Sequence, residues 1–419
     1  MADDANMPDA ASGGPVRRKI GLAALLSPLF YPMVEQLDLA LEYGAIHARL
    51  PDGSVRLVGG RGEGPLATID LHRWRALLRA AHRGSSGWYE AWAAGEWCSA
   101  DPVALFDVLM RNRVTLGNAT RARGLGRLLQ RWLHARRRNS KSGAAHNIKA
   151  HYDLGNDFYA AWLDETMSYS AAVFADPTSG DEPLAAAQKR KLATALARTQ
   201  TAPGEAILEI GCGWGGFVEF AAREGRAVRG ITLSAAQRDA ALARIMRGGL
   251  ERASVDLIDY REIAGTYDAV VSIEMVEAVG QKYWPQYLEV IARSLKPGGR
   301  AVLQYITIDD AVFADYARNV DFIQRYIFPG GMLLSEQRFR AIAAAQGLAW
   351  EAPFTFGNHY AETLRRWRTA FDNAAEEGRL PPNFDQRFIN LWRYYLMYCE
   401  GGFRSGGINV GQVTLVKQR

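Results

Sequence analysis

In the second half of the chain the apolar residues fall into short, nearly continuous runs: 207–210, 227–231, 255–258, 269–273 and 300–306. Runs of that length read as strands covered on both faces. Between them, residues 217–223, 235–246 and 285–295 carry apolar positions at helical spacing. Strands alternating with helices predict an open parallel sheet, whose ligands lie beyond the carboxyl ends of the strands. Residues 410–416 predict a further strand returning at the edge of that sheet. Upstream, residues 45–50 and 55–59 flank Pro51-Asp52-Gly53-Ser54, which predicts a hairpin. Residues 74–81 read as a helix, and the three tryptophans of 88–97 read as packing rather than a ligand box. The pattern therefore predicts an α/β unit preceded by a smaller α+β unit.

Composition narrows the class. At 419 residues and 48% hydrophobic, the chain can fill two domains. Cys98, Cys212 and Cys399 have no metal-ligand spacing, so no metal site is expected, and three scattered thiols suit a reducing compartment. No apolar run reaches the roughly eighteen residues of a spanning helix. Arg17-Arg18-Lys19 followed by residues 20–34 imitates a signal peptide, but Pro28 and Pro32 break the stretch and no small-residue cleavage site follows. A short helix lying on the protein or on lipid is the expectation there.

The net charge of +5 favours an anionic partner, nucleic acid or lipid. Eight basic residues and no acidic one fall between positions 121 and 141, with Leu125, Leu128, Leu129, Trp132 and Leu133 on one helical face. Such a helix near 121–133 can lie in an anionic bilayer surface; an interdomain helix with a solvated basic side is the alternative. Too few aromatic residues accompany it for a base-stacking platform, which argues against nucleic acid. The division predicted is an N-terminal docking unit over 1–133, a linker over 134–145 and the α/β unit over 146–419.

Residues 206–216, Ala-Ile-Leu-Glu-Ile-Gly-Cys-Gly-Trp-Gly-Gly, run a strand directly into a glycine-rich turn. Dinucleotide folds place glycines at the same point, so the loop alone indicates only a nucleotide cofactor. The second strand ends in Ile231-Thr232-Leu233-Ser234, with no acidic residue to hold a ribose diol, which argues against NAD. A short hydroxyl and Gln237 must serve instead. The whole arrangement resembles class I S-adenosylmethionine (SAM) methyltransferases, whose fold is a Rossmann-like α/β sheet.

The resemblance sharpens at 151–159, His-Tyr-Asp-Leu-Gly-Asn-Asp-Phe-Tyr, and at Met167-Ser168-Tyr169-Ser170. Further motifs are Gly230-Ile231-Thr232-Leu233-Ser234, residues 274–280 (Glu-Met-Val-Glu-Ala-Val-Gly), residues 326–331 (Tyr-Ile-Phe-Pro-Gly-Gly) and Tyr394-Tyr395-Leu396 with Cys399. Together with the glycine loop they are similar to the cyclopropane-fatty-acid synthase family, which includes the mycolic acid cyclopropane synthases. The likeness covers residues 146–419 and extends more loosely to the Glu-Ala-Trp stretch at 90–97.

The resemblance implies methyl transfer from SAM to a cis double bond of a phospholipid acyl chain, with a bound bicarbonate as base. It implies that Glu277 and Tyr360 hold the bicarbonate, with Gln304 where many members have histidine and Ala171 where the family has cysteine. A glutamine can still donate to the anion. For the cofactor it implies Tyr169 and Ser170 at the methionine carboxylate, and Gly211, Cys212 and Gly213 along the methionyl portion, the Cys212 side chain serving as packing. Thr232, Leu233 and Gln237 fall to the ribose and adenine, and Asp259 with Tyr260 to the far adenine edge. A helix cap is the rival role for Asp259, an arginine partner the rival for Glu277, and anchoring of its segment the rival for His151. Cys399 is expected to be structural. An acyl-binding insertion near 311–350 and the aromatic run 384–398 are the expected cleft walls.

The implied partner is an anionic membrane phospholipid with an unsaturated chain, met peripherally from the cytoplasmic face, and a homodimer stays open. Two other outcomes are left open: a methylene- or methyl-branched product from the same cation, and a soluble small-molecule substrate.

Overall fold

The computed structural model describes residues 22–119 and 154–418. The expected basic helix at 121–133, the linker at 134–145 and His151 lie outside the described residues. The first unit runs α1 (Leu22–Ala40), β1 (Tyr43–Arg49), β2 (Val55–Gly59), β3 (Gly62–Leu71), α2 (Arg75–Ala93), β4 (Trp97–Cys98), α3 (Pro102–Arg111) and α4 (Arg113–Ala119). Its sheet has the order β2-β1-β3-β4. The expected hairpin is present: β1 and β2 pair antiparallel, and Leu50 and Ser54 close the turn by a 2.8 Å backbone bond. One expectation fails. Helix α1 continues through Pro28 and Pro32 rather than breaking at them. Both prolines lie on the exposed side, where water can bond the carbonyls that a missing N–H leaves free.

The second unit runs α5 (Asn156–Ala160), α6 (Leu184–Thr199), β5 (Ala206–Ile210), α7 (Gly216–Arg223), β6 (Ala227–Thr232), α8 (Ala235–Arg247), β7 (Ala253–Leu257), β8 (Tyr267–Ile273) and α9 (Trp284–Ser294). It continues with β9 (Leu295–Ile308), α10 (Asp310–Tyr316), α11 (Phe322–Tyr326), α12 (Glu336–Ala345), β10 (Leu348–Thr355), α13 (Gly357–Glu376), α14 (Gln386–Arg404) and β11 (Ile408–Lys417). The seven strands take the order β10-β11-β9-β8-β5-β6-β7. Strands β5 to β9 are mutually parallel, and the chain crosses from one half of the sheet to the other between β7 and β8. That reversal opens a crevice beyond the carboxyl ends of β5 and β8, where open α/β sheets bind ligands.

Strand β11 is not at the edge where it was expected. It lies antiparallel between β9 and β10, with Val410, Val413 and Leu415 fully buried, and the largely exposed β10 forms the edge. The part of the expected insertion after residue 335 also folds otherwise, as α12 and β10, which belong to the sheet layers; α10 and α11 are the interposed part.

Alternation along β5 explains the two layers. Leu208 and Ile210 meet Trp284, Leu288 and Ile291 of α9 on one face, while Ile207 meets Leu192, Phe217 and Ile245 on the other. Each such side chain contributes about 1.5–3 kcal/mol by leaving water. A third core joins the two units. Tyr89 of α2 lies 4.9 Å from Phe322, 5.0 Å from Tyr326 and 5.0 Å from Tyr394, ring centre to ring centre. Helix α14 crosses α3 so closely at Gly401 that an added Cβ would sit 2.5 Å from the Phe106 Cβ.

Candidate active site

All ten residues expected around the cofactor line one cleft at the switch point. The glycine loop makes its floor. Gly211 has φ +81°, and a Cβ there would lie 2.6 Å from Met275 Cγ, so only glycine keeps this backbone against the neighbouring turn. The N–H groups of Gly211 and Cys212 both donate to the Ile231 carbonyl at 3.0 Å, which ties the loop to β6. The Cys212 side chain is buried packing, its thiol pushed well above the ordinary value by desolvation. At the end of β6, Thr232 Oγ1 donates to Gln237 Oε1 at 3.0 Å, and Ser234 caps α8 by accepting from the Gln237 N–H. The hydroxyl and amide expected in place of a ribose-binding acid therefore stand together on the cleft wall, beside Leu233.

Asp259 takes the cap role weighed against the adenine contact. It lines the cleft, and it also accepts from the Arg261 N–H at 2.9 Å and from the Arg261 guanidinium at 2.7 and 2.6 Å. Burial raises the neighbouring Tyr260 hydroxyl to about 12, so it stays a neutral donor. Tyr169 shares a 2.8 Å hydrogen bond with Tyr395, and its ring lies 5.3 Å from Trp367. Ser170 Oγ accepts from Lys191 Nζ at 2.7 Å.

Lys191 and Glu209 also line the cleft and were not singled out from the sequence. Burial lowers the Lys191 ammonium to about 8 and raises the Glu209 carboxyl to about 8. Glu209 Oε2 is buried without a hydrogen-bond partner. An acceptor left open at the floor of a glycine-rich cleft fits the α-ammonium of a methionyl group, which supports SAM as the occupant. The available signal was a lone acid inside an apolar strand, Ile-Leu-Glu-Ile.

The expected bicarbonate set requires correction. Gln304 and Tyr360 do come together, but on Glu274 rather than around Glu277. Glu274 Oε1 accepts from the Ala171 N–H at 2.8 Å and from Gln304 Nε2 at 2.7 Å, and Oε2 accepts from the Tyr360 hydroxyl at 2.8 Å. Gln304 is oriented in turn by Gln412 Nε2, which donates to its Oε1 at 3.0 Å. Glu277 turns the other way. Its Oε1 accepts from the Ile306 N–H at 2.6 Å, and its buried Oε2 has no hydrogen-bond partner. Among the described residues no arginine pairs with it. Burial, with the Glu274 charge adding to it, raises the Glu277 carboxyl to about 8. The donors meant for an external anion are thus satisfied by the chain's own carboxylate, and the residues do not fit a bicarbonate held by Glu277, Tyr360 and Gln304.

The two segments expected as cleft walls pack on each other, Phe322 4.8 Å from Tyr394 and Phe328 6.0 Å from Tyr395, and neither supplies a residue that lines the cofactor cleft. Cys399 packs against the same core, and desolvation keeps its thiol neutral, in line with a structural role. No helix among the described residues is long and apolar enough to cross a membrane, and no metal-ligand cluster occurs among them.

Residues 139–413 match the family model described as mycolic acid cyclopropane synthetase. The chain is 37% identical over 414 residues to the tuberculostearic acid methyltransferase UfaA1 of Mycobacterium tuberculosis, covering 94% of this chain and 92% of that one. It is also 37% identical over 268 residues to the cyclopropane-fatty-acyl-phospholipid synthase of Escherichia coli, covering 64% of this chain and 66% of that one. Among solved structures, mycolic acid cyclopropane synthase CmaA1 complexed with SAH and CTAB superposes with a TM-score of 0.61 at 30% identity, over 65% of this chain and 98% of that one.

Proposed function

The chain belongs to the mycolic acid cyclopropane synthetase family and is a SAM-dependent methyltransferase of lipids, and on that premise we propose that its substrate is a cis double bond in the acyl chain of a membrane phospholipid. The observation that carries this is the cleft itself: the cofactor positions share it with a carboxylate, Glu274, and with the Tyr169 side of an aromatic cluster. SAM supplies an electrophilic methyl group. An isolated alkene is a weak nucleophile with no proton to remove beforehand, so the protein must act through alignment and electrostatics. Tyr169, which lines the cleft with Trp367 and Tyr395 packed behind it, offers a ring face that stabilises a carbocation without attacking it.

Loss of a proton from the added methyl closes a cyclopropane ring, the first reading. A 1,2-hydride shift that moves the cation to the methyl-bearing carbon, followed by loss of a proton from the same methyl, gives a methylene-branched chain. That second reading is supported by the resemblance to UfaA1, which spans both units of this chain and not the catalytic sheet alone. Mass spectrometry of phospholipid fatty acids from cells with and without the protein tests both. Either product gains one CH2 unit; mild hydrogenation then adds hydrogen to the methylene branch and leaves the cyclopropane unchanged. Absence of any such gain refutes the lipid assignment, and methylation of a soluble molecule instead replaces it.

We also propose that the basic residues between 121 and 141 dock the protein on an anionic membrane at its cytoplasmic face. Replacing Arg136, Arg137 and Arg138 by Glu should release it from anionic vesicles at physiological salt. Undiminished binding removes that role.

A further inference from the structure

We infer that Glu274 is the base of the reaction, a resident carboxylate standing where an external anion would otherwise be recruited. This deepens the proposed function and rests on it. Three donors from segments far apart in the chain converge on this one side chain: the Ala171 N–H ahead of the sheet, Gln304 from β9 and Tyr360 from α13. A carboxylate offers about four lone-pair positions. Three are taken, two on Oε1 and one on Oε2, and the remaining position on Oε2 is open to accept a proton. Glu274 lines the cleft that holds the cofactor positions, whereas Glu277 spends one oxygen on the β9 backbone.

The backbone shows that this side chain is held in place at a cost. Glu274 has φ +49°, a left-handed conformation that few non-glycine residues adopt. Such strain persists where the surroundings over-determine the residue, and it clusters at functional sites. Here the surroundings are the three donors and the bond from the Glu274 N–H to the Gln304 carbonyl at 2.8 Å. A glycine at this position would relax the backbone and leave the three donors facing an empty, anion-sized space.

The step balances as follows. After methyl transfer the lipid carries a carbocation; a C–H bond of the added methyl breaks, and its electron pair forms the third bond of the ring or, where a hydride shift has first moved the cation to the methyl-bearing carbon, the exocyclic double bond. The proton passes to Glu274 Oε2 and is released to water before the next turnover. No oxidant or reductant is needed. Gln304 and Gln412 act as positioning residues, since they reach the substrate only through Glu274.

The experiment uses the full-length enzyme in buffer stripped of carbon dioxide. The wild type should keep its rate there, Glu274→Gly should lose roughly 10²–10⁴-fold as for removal of a general base, and added bicarbonate or formate should restore much of that loss. Glu274→Gln should be as inactive and gain nothing from either anion, because its amide still fills the space. Calorimetry should show SAM binding unchanged in both variants. Carbon-13 NMR of labelled bicarbonate, which needs no turnover, should show binding to Glu274→Gly and none to the wild type. A wild type that binds bicarbonate, or whose rate falls when it is removed, overturns the inference, as does full activity of Glu274→Gly without added anion. Should the wild type methylate no lipid, the proposed function fails, while the NMR comparison still decides whether Glu274 has taken the place of an external anion.

Discussion

Replacing Gly211 by alanine imposes two penalties at one position. At φ +81° an L side chain costs about 1–2 kcal/mol. The added Cβ would also lie 2.6 Å from Met275 Cγ and 3.0 Å from Met275 Cβ, an overlap relieved only by moving the residue next to Glu274. Overpacking of that kind costs about 1–3 kcal/mol, for a total of about 2–5 kcal/mol. Gly213 is an internal control, because its φ is +52° and nothing lies within 4 Å of an added Cβ. Only the first penalty applies there. Equilibrium urea denaturation of the two variants, followed by circular dichroism, should therefore separate them by the overlap, about 1–3 kcal/mol, with Gly211→Ala the less stable. Calorimetry should show weakened SAM binding for Gly211→Ala, since Met275 lines the same cleft. Equal stability of the two variants, or Gly213→Ala the weaker, refutes the overlap and with it the close packing of the loop on the turn after β8.

Tyr360→Phe removes the hydroxyl donor to Glu274 but keeps the ring that lies 4.3 Å from Phe403. Hydrogen bonds to charged groups contribute about 1.5–3 kcal/mol, so kcat should fall roughly 10- to 100-fold with KM for SAM unmoved; an unchanged kcat detaches Tyr360 from the carboxylate. Glu400 is fully buried and accepts from Arg368 at 2.9 Å and Arg404 at 2.5 Å. Because Arg368 and Arg404 keep access to water, Glu400→Ala should destabilise the fold by only about 1–3 kcal/mol in denaturant titrations, and an unchanged midpoint would show the pairs to be dispensable. The Glu277 carboxyl is raised by burial from 4.5 to about 8, so the folded protein holds that proton more tightly than the unfolded chain. Its contribution is fully present below about pH 4.5 and is lost as pH rises through about 8. Glu277→Gln does not titrate and should gain on the wild type in thermal melts between about pH 5 and about pH 8, against a constant gap if Glu277 is ionised throughout.

That the expected cofactor residues share one cleft was legible because its determinants are local. Gly211, Thr232, Gln237 and Asp259 each stand within a few residues of a strand end, and parallel topology brings strand ends together whatever the details of packing. The arrangement of the two carboxylates was not. Glu274 and Glu277 are three residues apart in one motif, and motif resemblance favoured Glu277; the positive φ at Glu274, which no residue count reveals, aims its side chain at Ala171, Gln304 and Tyr360. The position of β11 was hidden for a similar reason. Its apolar residues read alike for an edge or an interior strand, and β10, absent from the sequence reading, covers its far side. Pro28 and Pro32 show local propensity giving way: Val34, and Leu41 just past the helix, pack into the core that joins the two units and anchor α1 beyond both rings.

The rings of Tyr89, Phe322, Tyr326 and Tyr394 make the two units thermodynamic dependants of each other. A shortened gene starting after α4 would encode a sheet with an oily scar on its flank, and its product should precipitate on expression unless those rings are exchanged for polar residues. Recombination between relatives of unequal length is thereby confined to junctions that keep both sides of the scar, so substitutions on one side invite compensation on the other.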